Sequence, residues 1–174
     1  MRLFAAALVA ASVIAAPAFA QDILQPNSKL STYGSIGYTY ADGGTGEQFG
    51  VITGRLGVKK GYFGVEAEAG GGVVGSHIGS INTRLDYEVA GYGIVTVPVT
   101  NNVQLLARLG YGHSQASAAF GNVSVRVEDN SVNYGAGGIF SLNEHDHIRA
   151  EYTRYDFGTG GTVNGWSIAY VRKF

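Results

Sequence analysis

The stretch Tyr62-Phe63-Gly64-Val65-Glu66-Ala67-Glu68-Ala69-Gly70 alternates with a period of two. Phe63, Val65, Ala67 and Ala69 share one parity, and Gly64, Glu66, Glu68 and Gly70 share the other. Successive side chains of a strand point to opposite faces, so an extended chain here has one apolar face and one carboxylate-bearing face. A helix would spread the same charges around its circumference. The pattern therefore selects strand, and it recurs along the chain. Thr32–Tyr40 sets Ile36, Tyr38 and Tyr40 on one face, and Phe49–Lys59 sets Ile52, Leu56 and Val58 opposite Thr53 and Arg55. Arg84–Val97 sets Leu85, Tyr87 and Val89 opposite Arg84, Asp86 and Glu88, and Val103–Ser114 sets Leu105, Ala107 and Leu109 opposite Gln104 and Arg108. Val132–Leu142, His147–Phe157 and Val163–Phe174 repeat the arrangement, with Arg149 and Glu151 on the polar face of the second of these.

These runs predict eight strands of about nine to fourteen residues, a length that crosses a bilayer at a tilt. The connections alternate. Lys59-Lys60-Gly61, Pro98–Asn102 and Asn143–Asp146 read as tight turns. Ala41–Gln48, Gly71–Thr83, Gln115–Ser131 and Gly158–Thr162 read as longer loops, polar or rich in glycine. Short turns on one side and long loops on the other are expected of a membrane-spanning β-barrel, and a soluble sandwich has no reason to sort its loops so.

Ahead of the strands stands an address. Arg2 is followed by the apolar run Leu3–Ala16, broken only by Ser12, and Ala18-Phe19-Ala20 forms an A-x-A site. This reads as a secretory signal peptide over residues 1–20, cleaved after Ala20. Residues 21–30 read as a short periplasmic lead-in and residues 31–174 as the barrel domain. No later stretch reaches the roughly 20 apolar residues of a spanning helix, so a membrane form must be a closed barrel.

The polar faces collect Arg55, Glu66, Glu68, Arg84, Asp86, Glu88, Arg108, Arg149 and Glu151 near mid-strand. The interior of an eight-stranded barrel is filled by side chains, and buried charges must be paired, so these residues are expected to form an interior ion-pair network. The opposite faces carry Tyr38, Tyr40, Phe63, Tyr111, Phe140, Trp166 and Phe174, which suit interfacial aromatic girdles. A lipid-facing band also accounts for a charged fraction of only 14 %, against about 25 % in a typical soluble domain. One stretch leaves its facing open. Tyr92 and Ile94 share a parity with Glu88, so Gly91–Val97 needs either a bulge or an interior aromatic.

The chain ends on Phe174, with Trp166, Ile168 and Tyr170 at the same parity. This resembles the barrel-assembly signal of outer-membrane β-barrels, a last strand of alternating apolar or aromatic residues closed by a terminal Phe. With the leader, the eight runs and the Tyr62–Glu66 hairpin strand, the chain resembles the OmpA/OmpX-like family of small eight-stranded barrels over about Ser31–Phe174. Arg172 departs from the pattern, standing where the family usually has an apolar residue; either it snorkels at the membrane edge or the register slips to Val171. The resemblance implies an eight-stranded antiparallel up-and-down barrel in the outer membrane of a Gram-negative envelope. It implies a non-enzymatic role in envelope structure, with surface interaction through the long loops. The expected partners are outer-membrane lipid and lipopolysaccharide, the barrel-assembly machinery during biogenesis, and no further subunit.

No cofactor, metal or catalytic residue is expected. Without cysteine there is no disulfide framework, thiolate metal site or cysteine nucleophile. A net charge of −1 leaves no face for a nucleic acid. Glu66 and Glu68 imitate a glycosidase pair, but such a pair needs an open cleft around a sugar. His145-Asp146-His147 reads as a polar turn rather than a metal site. His113 and Ser114 are adjacent on a strand, so they face opposite sides and one cannot activate the other. Gly158-Thr159-Gly160-Gly161 lacks the lysine and helix of a phosphate loop. Three other readings fit the same strands: a narrow porin-like channel, a lipid-active barrel enzyme, and a soluble lipocalin-like barrel with its faces reversed.

Overall fold

The computed structural model describes residues 29–44, 48–78, 81–120 and 123–174, with side chains withheld for 76–78, 81–84, 118–120 and 123–125. The expected leader, and all of the lead-in before residue 29, lie outside the described residues. The elements are β1 (Leu30–Asp42), β2 (Gln48–Lys60), β3 (Phe63–Val74), β4 (Ser76–Ile78), β5 (Ile81–Pro98), β6 (Val103–Phe120), β7 (Val123–Ser141), β8 (Asp146–Phe157) and β9 (Thr162–Lys173). Neighbours in sequence pair antiparallel, and β4 is a short continuation of the β3–β5 hairpin. Pairing of β3 with β5 and of β1 with β9 closes a ring of eight long strands. Closure leaves no open edge, as a membrane-spanning sheet requires.

The tight turns lie at one end, with both the start of β1 and Phe174. Gly61 enters its turn at φ +61°, where a side chain would be strained. In the β7–β8 turn, Asn143 Oδ1 accepts the backbone N–H groups of His145 (2.9 Å) and Asp146 (2.8 Å). His145-Asp146-His147 is thus ordered by an Asx turn.

The other end differs from expectation. Most of Gly71–Thr83 and Gln115–Ser131 is strand rather than loop. β5 and β6 run 18 residues each and β7 runs 19, against 12 or 13 for the other long strands. The extra six residues or so, at about 3.3 Å each, carry β5, β6 and β7 roughly 20 Å past their neighbours. The physical reason stands in the sequence. Val123, Val125 and Val127 alternate with Ser124, Arg126 and Glu128, a period-two pattern in a polar segment. Ladder pairing from Val103↔Phe140 to Phe120↔Val123 then bonds the backbone groups along the β6–β7 seam that a loop would leave to water.

A bulge between Leu85 and Tyr87 sets the facing of β5. Leu85 pairs with Ala116 and turns inward, not outward as its parity with Tyr87 suggests. Below the bulge Tyr92, Ile94 and Thr96 all face inward and are buried. An interior aromatic, not a local bulge, is therefore what orients Gly91–Val97. In β9, Val171 is buried and Arg172 points out, so the terminal register does not slip.

Candidate functional site

The barrel is inside out relative to a soluble protein. Leu56, Leu109 and Val65 on the outer face are 69 %, 62 % and 63 % exposed, while Arg55, Arg108, Arg149, Glu66, Glu68 and Glu151 inside are all 4 % or less. An apolar surface wrapped around the whole wall is untenable in water and natural against acyl chains. Phe63, Phe140, Tyr170 and Phe174 stand out near the turn end. Tyr38, Tyr40 and Trp166 stand out toward the other end, with Trp166 packed on Tyr152 at 4.9 Å between ring centres.

Six of the inward charges form one plug. Glu151 receives Arg55 (2.7 Å), Arg108 (2.7 Å) and Arg149 (2.6 Å). Glu68 receives Arg55 and, at 3.1 Å, Arg108. Glu66 takes both terminal nitrogens of Arg149, at 2.5 and 3.2 Å. β2, β3, β6 and β8 thus meet across the lumen, and the three arginines face three carboxylates. Tyr92 caps the arrangement from β5. Its hydroxyl donates to Glu68 (3.0 Å) and accepts from Asn133 (3.0 Å), and its ring lies 3.3 Å from the Arg108 guanidinium carbon. Cation–π contact and charge-assisted hydrogen bonds reinforce one another once water is excluded.

Glycine makes the space. A Cβ on Gly110 would sit 2.2 Å from the Gly91 carbonyl oxygen and 2.4 Å from the Tyr92 ring. A Cβ on Gly57 would sit 2.2 Å from Tyr33. Tyr33 and Tyr92 lie against wall positions that lack side chains.

Two small spaces flank the plug. Toward the turn end a buried apolar layer of Tyr33, Ile94, Leu106 and Val171 underlies it, with a cavity of about 30 Å³ beside Lys59, His147 and Lys173. Toward the hairpin end opens a vestibule of about 260 Å³. Glu88 faces this vestibule and belongs to no ion pair among the described residues.

The other expected network members fall elsewhere. Asp86 sits at the β5 bulge, which turns it off the inward face; there it accepts hydrogen bonds from Gln115 (3.1 Å) and Ser117 (2.5 Å). The side chain of Arg84 lies outside the described residues. Glu66 and Glu68, two residues apart, are both held by arginine and have no open cleft. His113 shares a hydrogen bond with Asn130 (3.0 Å), away from the inward side of β6. Sequence reasoning missed the roles of Tyr92, Tyr33 and Asn133; for the two tyrosines the available signal was the glycine opposite each, Gly110 and Gly57.

At the rim, Arg172 and Tyr170 converge on Asp146, Arg172 at 3.2 Å. Tyr170 first, then Asn143, then the Arg172 charge hold the Asp146 carboxyl below the usual carboxylate range. Arg172 thus has a partner at the edge of the apolar band.

The family model for the outer membrane protein beta-barrel domain matches residues 6–174. The chain belongs to this family. No curated protein matches it in sequence. Among solved structures, Ail, the attachment invasion locus protein of Yersinia pestis, superposes with a TM-score of 0.60 at 18 % identity, covering 84 % of this chain and 99 % of Ail. Neisserial surface protein A superposes with a TM-score of 0.66 at 12 % identity, covering 83 % of this chain and 97 % of its own. The N-terminal β-barrel domain of Pseudomonas aeruginosa OprF gives 0.59 at 11 %, covering 82 % and 99 %. At these identities the likeness is one of fold. By family the chain is an outer-membrane barrel, and its exposed apolar band is bordered by outward aromatic residues at both ends.

Proposed function

We propose that this outer-membrane barrel is a non-enzymatic component of the envelope. Its wall packs against outer-membrane lipid and lipopolysaccharide, and its projecting hairpins meet surface partners. The leader directs export and is removed after Ala20. The barrel-assembly machinery reads the Trp166, Ile168, Tyr170 and Phe174 face, and the folded protein acts as a monomer. In this orientation the turn end is periplasmic and the hairpin end is extracellular, as in other bacterial barrels.

The observation that carries the proposal is the plug. Six interlocked charged side chains cross the lumen between the two cavities, which supports a sealed rather than a conducting barrel. A working pore would instead hold water along its axis. Glu66, Glu68 and Glu151 are each held by arginine, which disfavours a general acid–base role for them. The surface role draws support from the β5, β6 and β7 extensions, which present a rigid ribbon instead of a loose loop, and from the attachment function in Ail's name.

Planar-bilayer recording tests the lumen claim. The purified barrel should give no steady openings in salt solution. Large, stable conductance steps would favour a channel. Unchanged lipid A after overexpression is expected, and a modified lipid A would point to a barrel enzyme.

A further inference from the structure

The vestibule at the hairpin end is not explained by a structural role. Its wall is apolar, built from Ala41, Phe49, Val51, Leu85, Phe157 and Val163. Two of its buried polar atoms are acceptors left without a partner. Asn133 is 2 % exposed and its Oδ1 has no hydrogen-bond partner; Thr39 is 3 % exposed and its Oγ1 has none either. The amide of Asn133 is fixed in orientation, because its Nδ2 donates to the Tyr92 hydroxyl at 3.0 Å. Its oxygen is therefore presented, not free to rotate away.

Glu88 completes the set. It lines the same cavity, and among the described residues it forms no ion pair. The charges facing it from below are Arg55 and Arg108, each already shared between Glu68 and Glu151. Since the plug's three arginines are matched by Glu66, Glu68 and Glu151, Glu88 is a carboxylate in excess. Asp129, also on the lining, adds negative potential near the mouth.

An unmatched carboxylate, two unsatisfied buried acceptors and an apolar wall define the complement. It is a cation rich in N–H donors and carrying a short apolar body. We infer that the vestibule binds a small amphipathic ammonium ion, entering from the hairpin end. Glu88 pairs with the ammonium charge, Asn133 Oδ1 and Thr39 Oγ1 accept its N–H bonds, and the wall takes the apolar tail. At about 260 Å³ the space falls just below the usual range of drug-sized sites, room for one ring and a short chain. An anion would meet Glu88 and Asp129, and a neutral donor could reach the two acceptors but would leave the Glu88 charge unpaired.

The test uses the barrel in lipid nanodiscs, with empty nanodiscs as reference, titrated calorimetrically with phenethylammonium chloride. Saturable one-to-one binding is expected, with 2-phenylethanol and 3-phenylpropionate at least about tenfold weaker. Glu88→Gln should weaken phenethylammonium binding by about tenfold or more, the scale of a charge-assisted contact. Leu85→Trp, which fills the vestibule from its wall without touching the acceptors, should abolish it and serves if Glu88→Gln does not fold. Absence of saturable binding, equal binding of the alcohol or the acid, or binding unaffected by both variants would each overturn the inference.

Discussion

Replacing Glu151 with glutamine removes the one carboxylate that touches all three arginines of the plug. In the native barrel Glu151 is reached by Arg55, Arg108 and Arg149 at 2.6–2.7 Å, and by the Ser167 hydroxyl at 3.2 Å. After Glu151→Gln, Arg55 and Arg108 share Glu68 alone and Arg149 keeps only Glu66. Three guanidiniums then face two carboxylates, and the glutamine NH₂ can point at cations. Removing one partner of a buried pair costs about 3–5 kcal/mol, chiefly because the remaining charge is left desolvated. That corresponds to a fall of roughly two to three and a half decades in the folded-to-unfolded ratio. Urea unfolding of the membrane-embedded protein measures it. Trp166 is the only tryptophan, 63 % exposed on the outer face, so its fluorescence reports loss of the lipid-facing wall. Glu144→Gln, on an exposed turn residue, should stay within about 0.5 kcal/mol of wild type. The double variant Arg108→Met/Glu151→Gln restores two arginines against two carboxylates, and should be less destabilised than the sum of the singles by about 1–3 kcal/mol. A midpoint for Glu151→Gln equal to that of Glu144→Gln, or strict additivity in the double variant, would refute the coupled network.

Gly110→Ala should destabilise the barrel by about 1–3 kcal/mol, because its Cβ would strike the Gly91 carbonyl oxygen and the Tyr92 ring; the same urea midpoint reads it. Asp146 has a folded pKa held below its unfolded value near 3.9, so its contribution is complete above that value and is lost as pH falls through the folded pKa. Wild type should therefore exceed Asp146→Asn in urea midpoint at pH 7, with the gap closing below about pH 4. Trp166 should be quenched by lipids brominated on the acyl chain, and a Tyr155→Trp/Trp166→Phe variant should not, since Tyr155 is buried inside the barrel.

The fold was legible because two periods coincide in it. Strand parity separates apolar from charged residues, and the alternation of short and long connections sorts the ends. Both survive from residue to barrel, since a one-residue slip would reverse every side chain. The segments at 71–83 and 115–131 are polar or rich in glycine, a composition that loops and projecting strands share. Above a membrane a strand has no apolar face to show, so only its ladder and its alternating valines betray it. Asp86 was misplaced for a related reason: a bulge adds one residue without altering the alternation on either side, and local sequence does not announce it. Mid-strand charge pointed to Arg55, Glu66, Glu68, Arg108, Arg149 and Glu151 as one constellation. Which arginine meets which carboxylate depends on strand stagger around the ring, which no single strand contains. Tyr33 and Tyr92 went unassigned because tyrosine serves equally as girdle and as core, and only the glycines facing them, Gly57 and Gly110, distinguish the two uses.

The central claim is a closed barrel that sits in the outer membrane with its apolar face to lipid and its charges locked within. Membrane fractionation followed by gel electrophoresis, with and without boiling, tests it most directly. The account predicts that the protein stays with the outer-membrane fraction and that the unboiled form migrates faster than the boiled one, as a compact barrel resists detergent until heated. Recovery in the soluble periplasmic fraction, with a single mobility regardless of boiling, would contradict it.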